Sequence, residues 1–331
     1  MTGPPAPGAA GRRPIAALRA VRRSAWTVAI VGLLGALLAV EKLVHPTLNV
    51  FDMQSLVDGA LPLCLAAMAQ TAVVLSGGID LSVGPMMSLV NVVSALLMTH
   101  ATNGQAVLIA LGLMAVAAAA GALTGAVIVA TGVPDIIVTL ATGFVWGGLA
   151  LHIMPIPGGA APAGFAALMT GELGSVPSGL VVILAALAIL WEPVHRSPAG
   201  LALYAVGSNR AAAYLSGVAV GRARVTAYAM GGAFAALGGF ALTASTTNGN
   251  AAAGTSYTLT SVAATVLGGV SLAGGRGGMI GPVAAALLLT LINTLLTFEG
   301  VDPNFSLVVQ GAIVVLVVMV AGLVLVRRRG A

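Results

Sequence analysis

The sequence predicts an all-α polytopic membrane protein of about ten transmembrane helices with both termini cytoplasmic, and three observations carry that expectation. Hydrophobic residues make up 59% of the 331 positions and charged ones only 7%, far below the roughly one quarter usual in soluble domains. The apolar residues come in runs close to the length a bilayer demands, since a hydrocarbon core about 30 Å thick needs about 20 helical residues. The few charges collect in short patches between those runs, which a soluble fold needing a polar surface all round would not do.

The elements follow in order. Residues 1–24 form a basic tail in which Arg12, Arg13, Arg19, Arg22 and Arg23 precede an apolar run from Trp26 to Val40. The basic region is long, Glu41-Lys42 follows the run and no A-x-A cleavage pattern appears, so a retained helix is favoured over a signal peptide. Hydropathy then places spans at about 25–44, 55–75, 83–101, 106–130, 135–153, 177–194, 225–247, 258–273, 279–298 and 304–326. A transmembrane domain thus covers 25–326, with one sizeable inner loop at about 195–224, and 327–331 forms a second basic tail.

An even number of spans puts both termini on one side. If that side is the cytoplasm, every Lys and Arg except Lys42 falls inside or at the inner boundary: the N-terminal five, Arg196, Arg210, Arg222, Arg224, Arg276 and Arg327 to Arg329. Asp52, Asp58, Glu172, Glu299 and Asp302 gather on the outer side, with outer loops at 45–54, 154–176, 248–257 and 299–303. Membrane orientation therefore accounts for the net charge of +5, and lipid rather than nucleic acid is the expected surroundings.

Several residue types carry no chemistry of their own. Cys64 lies in the apolar run LPLCLAA with no second cysteine, which reads as a small packing residue. His45, His100, His152 and His195 sit mostly at span ends, outside any metal or catalytic spacing. The 44 glycines, as in Gly121, Gly125, Gly231, Gly232, Gly238 and Gly239, favour close packing of helices through small faces. No cofactor and no metal is expected.

Three motifs stand out. Ser76-Gly77-Gly78-Ile79-Asp80-Leu81-Ser82-Val83-Gly84 lies at the inner end between the second and third spans; its glycines permit a bend, and Asp80 and Ser82 serve either to cap the next helix or to line or gate a path. The inner loop holds Asn209, Arg210, Ala211, Ala212, Ala213, Tyr214, Leu215, Ser216 and Gly217, where Asn209 can cap a short helix and Gly217 can stop it. The run VLGGVSLAGGRGG at 266–278 contains Gly274, Gly275 and Arg276 but lacks the G-x-x-x-x-G-K-[ST] pattern, so no nucleotide site is expected. Gly77-Gly78 and Gly274-Gly275 are each followed by Gly-Pro, at Gly84-Pro85 and Gly281-Pro282, an echo that helix-start chemistry explains as well as duplication does. Polar residues within spans, Asn91, Thr139, Thr142, Thr243 and Asn293, are further path candidates able to bond polyols.

Taken together, SGGIDLSVG at 76–84, Val133-Pro134 with Ile137 to Thr142, LYAVGSN and YLSG between 203 and 217, and VLGGVSLAGGRG at 266–277 resemble the permease subunits of bacterial ATP-binding-cassette importers for ribose, xylose and related monosaccharides. The resemblance implies a multi-pass protein of the bacterial cytoplasmic membrane, pairing with a second permease subunit, identical or paralogous. It implies a cytoplasmic ATP-binding subunit docked on Asn209 to Gly217, and an extracytoplasmic solute-binding protein. ATP would then be hydrolysed in the partner, so the chain itself is no enzyme. The sequence departs from the family's usual pattern at Ala211, at Asp135 and at Tyr257-Thr258-Leu259-Thr260. An ion-coupled secondary transporter is the main alternative, and a non-transporting scaffold a third. Ion coupling ordinarily needs ionisable residues near the midplane, whereas here they cluster at span ends.

Overall fold

The computed structural model describes residues 13–44, 50–174 and 176–302, with isolated positions between 305 and 319. The span expected at 304–326 lies largely outside the described residues, as do Arg12, His45 and Arg327 to Arg329. Apart from a hairpin of two short strands, β1 (Glu172–Leu173) and β2 (Val176–Pro177), the described chain is helical. In a medium without water every backbone N–H and C=O needs a partner, and a helix supplies these within its own segment.

Among the described residues, seven helical stretches are long and apolar enough to cross a membrane. They include α1 (Arg13–Val44), α2 (Val50–Leu75), α4 (Asn103–Thr131) and α5 (Asp135–Ile153). The stretch Ser178–His195 is another, and it changes pitch midway: α7 (Ser178–Ala185), a π-helical segment at Ala186–Trp191, then α8 (Glu192–His195). The remaining two are α11 (Val220–Thr246) and α13 (Ile280–Phe298). Shorter helices are α3 (Val83–Met98), α6 (Ala163–Thr170), α9 (Pro198–Ser208), α10 (Arg210–Leu215) and α12 (Tyr257–Leu267). The chain is thus all-α and polytopic.

Several boundaries differ from expectation: α2 begins at Val50 and α11 at Val220, each inside a region read as a loop. α1 starts at Arg13, inside the region read as a tail. α12 stops at Leu267 although apolar sequence continues to Ala273. Gly268 packs against the backbone of Gly281 and Pro282, and Gly269 takes a left-handed φ of 87° that a helix cannot continue through. At 11 residues α12 rises about 16 Å, roughly half the hydrocarbon thickness. Its last four carbonyls are all satisfied: Gly268, Val270 and Gly269 donate to Ala264, Thr265 and Val266, and the Trp26 indole of α1 donates to Leu267 at 2.7 Å.

The centre of the bundle is α2 and α11, whose spans are 89% and 72% buried, while α1, α4 and α5 lie at the periphery. α11 packs along α2, α3 and α4. Small residues make that approach possible: a Cβ at Gly121 would overlap the Tyr228 carbonyl, and one at Gly232 the Ala117 carbonyl. At one end of the bundle lie the segments 76–82, 132–135, 195–224 and 268–279, with Arg196, Arg210, Arg222, Arg224 and Arg276; Trp26 reaches this end too. At the opposite end 154–162 pairs with 246–250 through mutual Gly158 and Gly249 hydrogen bonds of 3.1 and 2.7 Å, and the β hairpin follows.

Candidate functional site

The arginine-bearing end holds the segments that the sequence singles out. α2 ends as Ser76 and Gly78 donate back to Val73, and Gly77 turns the chain at φ 81°. The Gly274 and Gly275 loop returns beside this turn: the Gly275 N–H donates to the Leu75 carbonyl at 3.0 Å, and a Cβ on Gly274 would sit 2.8 Å from the Gly77 Cα. Gly207, in the last turn of α9, is the third member, because any side chain there would overlap the Leu75 carbonyl. The two echoing glycine pairs therefore fold against each other and clasp the end of α9. The Tyr204 hydroxyl adds a bond to the Gly277 carbonyl at 3.1 Å. The Arg276 side chain points away, exposed.

Beyond that turn Asp80 is buried, and its Oδ1 accepts from the Ser82 N–H at 2.8 Å and the Ser82 hydroxyl at 2.6 Å. The Gln70 side chain, oriented so that both its polar atoms are satisfied, brackets the Asp80 backbone at 2.8 and 3.3 Å. Burial pushes the Asp80 carboxyl above the usual carboxylate range; the Ser82 bonds oppose the push and the charge of Asp135 adds to it. Thr139 donates to the Ile79 carbonyl at 3.3 Å, while Thr142 bonds only within its own helix.

Asp135 opens α5, and its Oδ2 pairs with Arg224 of α11 and accepts from the Tyr228 hydroxyl at 2.8 Å. A Cβ at Gly78 would come within 2.6 Å of the same oxygen, so the glycine loop is seated directly on this ion pair. The sequence treats Arg224 as an inner-boundary anchor, but only 4% of it is exposed. Gln70, Gly207 and Tyr228 were also missed. For Arg224 the available signal is an arginine at the start of an apolar run together with an acid, Asp135, that belongs to no outer loop.

α9 and α10 make the outermost layer of this end. Asn209 accepts from the Ala212 N–H at 3.0 Å, the cap its position suggested, and Gly217 at φ 79° terminates α10. Ala213 is buried against Leu203, Val206, Ala223 and Ala227. Arg210, Ala211, Ala212, Ser216 and Gly217 are exposed, and Tyr214 and Leu215 are 73% and 85% exposed, an unusual place for two large apolar side chains.

The remaining candidates lie toward the opposite end. Asn91 and Thr243 are fully buried and bond each other at 2.9 Å. Asn91 also accepts from the Asn250 N–H at 2.7 Å and donates to the Asn248 carbonyl at 3.0 Å, while Ser88 accepts from the Gly254 N–H at 2.9 Å. These bonds pull 248–254 into the bundle beside α3. Asn293 on α13 has an Oδ1 with no hydrogen-bond partner among the described residues.

A helical bundle of this kind, with broken helices, a buried polar turn at one end and a short exposed helix beside it, fits a membrane transport component. Over residues 54–318 the sequence matches the family described as branched-chain amino acid transport system / permease component, and the chain belongs to that family. It is 33% identical over 259 residues to the ribose import permease protein RbsC of Bacillus subtilis (strain 168), covering 77% of this chain and 80% of that one. It is 30% identical over 263 residues to RbsC of Escherichia coli (strain K12), 77% and 81% covered. It is 29% identical over 262 residues to the autoinducer 2 import system permease protein LsrD of Photorhabdus temperata, 77% and 78% covered. No solved structure matches the chain significantly. The expected family resemblance is therefore found, and the chain is a multi-pass permease subunit of the bacterial cytoplasmic membrane, a transport component rather than an enzyme.

Proposed function

We propose that this chain and a second permease subunit, identical or paralogous, enclose the path of an ATP-binding-cassette importer for a small neutral solute of the monosaccharide or polyol class. A solute-binding protein delivers the solute from outside, and ATP is hydrolysed in a cytoplasmic partner. The relatives' names, ribose and autoinducer 2 import, support the solute class. In this reading the arginine-bearing end is cytoplasmic, the chain crosses about ten times with 304–326 as the last span, and both termini lie inside. The basic ends flank the transmembrane domain at 1–24 and 327–331.

The observation that carries the reading is the exposed pair Tyr214 and Leu215 on a helix whose other face is anchored through Ala213, next to the α9 end clasped by Gly77, Gly207 and Gly274. The segment Asn209 to Gly217 is the contact with the ATP-binding subunit, and force on it reaches Asp80, Ser82, Thr139 and Thr142 through that clasp. Those four form the inner gate. Asn91 and Thr243 support the wall of the path by holding 248–254, and Asn293 contributes from α13. With the importer reconstituted in liposomes, Tyr214→Glu with Leu215→Glu is expected to abolish ATP-driven ribose uptake and lower co-purification of the ATP-binding subunit, with the permease still inserted. Uptake at the unmodified rate would refute the coupling assignment.

A further inference from the structure

Between the pairing of Gly158 with Gly249 and the start of α12 the chain descends into the bundle without helix. The Asn250 N–H donates to Asn91 and the Gly254 N–H to Ser88, and a Cβ at Gly84, in the first turn of α3, would meet the Thr258 hydroxyl and the Gly254 carbonyl. Thr265 donates to the Ala67 carbonyl at 3.3 Å, so α12 runs beside the half of α2 nearer the arginines. Its first residue, Tyr257, lies about 12 Å farther back, near the midpoint of α2. Non-helical backbone therefore stands at mid-depth. Such backbone is tolerated there only where protein covers it or where it lines water.

This chain leaves one side of it uncovered. Ala252, Thr255, Ser256 and Leu259 are all exposed. Successive turns, with the Thr255 N–H donating back to Ala252 and the Thr258 N–H to Thr255, lead into α12, so the spacing of three and four residues keeps these side chains on one face. That face differs from the ones that meet lipid. On α4 the exposed residues include Leu108, Leu111, Val116 and Leu123, whereas here two hydroxyls and a methyl precede a single large apolar side chain. Leu259 is 72% exposed, and beyond it the face closes: Val262 and Val266 are half-buried and Ala263 is buried.

We infer that the segment 250–260 lines the water-filled path against the second permease subunit, and that Leu259 is the hydrophobic gate that closes this path at mid-depth. A large apolar side chain at the narrow point of a wet path holds it shut by expelling water, with no charge for a passing solute to displace. The gate rides on a helix whose other end is held by the Trp26 indole and by the contact of Gly268 with Gly281. A shift at that end is carried along α12 to Leu259. The inference rests on the importer reading, and it places a second barrier apart from the inner gate at Asp80.

The test uses the full chain in intact cells, with Cys64→Ala removing the one native thiol, single cysteines added in turn, and a membrane-impermeant cationic methanethiosulfonate supplied from outside. Thr255→Cys and Ser256→Cys are expected to react at least about tenfold faster than Leu111→Cys and Leu123→Cys on α4, because the reagent attacks the thiolate and a thiol facing hydrocarbon ionises poorly. Val262→Cys, the next position along the face, is expected to react slowly, severalfold faster once Leu259→Ser is added, and no faster with Leu259→Phe. Thr255→Cys and Ser256→Cys as slow as the α4 cysteines would mean that lipid or the second subunit covers the segment, which overturns the path assignment. A Val262→Cys rate equal to that of Thr255→Cys with Leu259 intact, or unmoved by Leu259→Ser, overturns the gate. ATP-driven uptake of a panel of monosaccharides by the Cys64→Ala protein is measured alongside. Uptake without the labelling pattern overturns this inference alone, and no uptake with the ATP-binding and solute-binding proteins present overturns the importer reading on which it rests.

Discussion

Among single residues, the Asp135 and Arg224 pair governs the most. Two charges at opposite helices are held in a site where only 4% of the arginine is exposed, so each is tolerable only because of the other. Asp135→Ala is expected to destabilise the protein by about 3–5 kcal/mol, the usual cost of orphaning one partner of a buried pair. Asp135→Ala combined with Arg224→Leu should recover most of that loss; thermal unfolding of the detergent-solubilised protein measures both. A double variant as unstable as the single one would show that the pair does not account for the effect. Asp80→Asn keeps an oxygen for Ser82 and is expected to insert normally yet lower uptake, which a transport assay in cells checks. What was legible at this scale is what is local. Asn209 and Gly217 announce a cap and a stop within nine residues of sequence, and the structure has both. Asp135 and Arg224 are 89 positions apart, and no local pattern joins them.

The glycine clasp belongs to the scale of elements. Gly207 and Gly217 both stand near α10, but they are glycine for different reasons. A side chain at Gly207 would collide with the Leu75 carbonyl, whereas a Cβ at Gly217 meets nothing within 4 Å and only the left-handed φ disfavours it. Gly217→Ala should therefore cost only about 1–2 kcal/mol of backbone strain and, even within the proposed contact segment, reduce uptake much less than a change that opens the clasp. Gly207→Val should part α9 from the α2 turn and reduce uptake at least tenfold even where the protein still inserts, as comparison of surface-exposed protein with transport rate would reveal. Equal uptake by the two variants would mean that the clasp transmits nothing. The repeated Gly-Gly and Gly-Pro spacing was visible in the sequence, but the meeting of Gly77 with Gly274 was not, because it depends on how distant helices pack. The end of α12 was misplaced for a related reason. Hydropathy counts Val270 to Ala273 as span, while the left-handed turn at Gly269 has already ended the helix. Ala213 shows the reverse. It sits in the segment proposed to dock yet faces inward, so Tyr214 and Leu215 are the residues on which that proposal should be tested.

The whole molecule was legible as a class. Composition and span length alone demand an all-α membrane bundle, and the arginines of the described loops do lie at one end of it. Depth was less legible, because a segment that enters the bundle without helix, such as 248–254, has the small polar composition of an outer loop and is distinguished only by its bonds to Asn91 and Ser88. At this scale the expected outcome is that purified importer in liposomes accumulates a monosaccharide from a tested panel only when ATP and the binding protein are both supplied, and that a proton or sodium gradient does not substitute for them. The bond from Trp26 to the last carbonyl of α12 has a practical consequence. The chain has three tryptophans, and with Trp146→Phe and Trp191→Phe the remaining indole is the one tied to that helix end. A tilt of the half-length helix that breaks the bond would change the surroundings of the indole nitrogen, so the protein carries its own emission probe, readable during turnover without an attached dye.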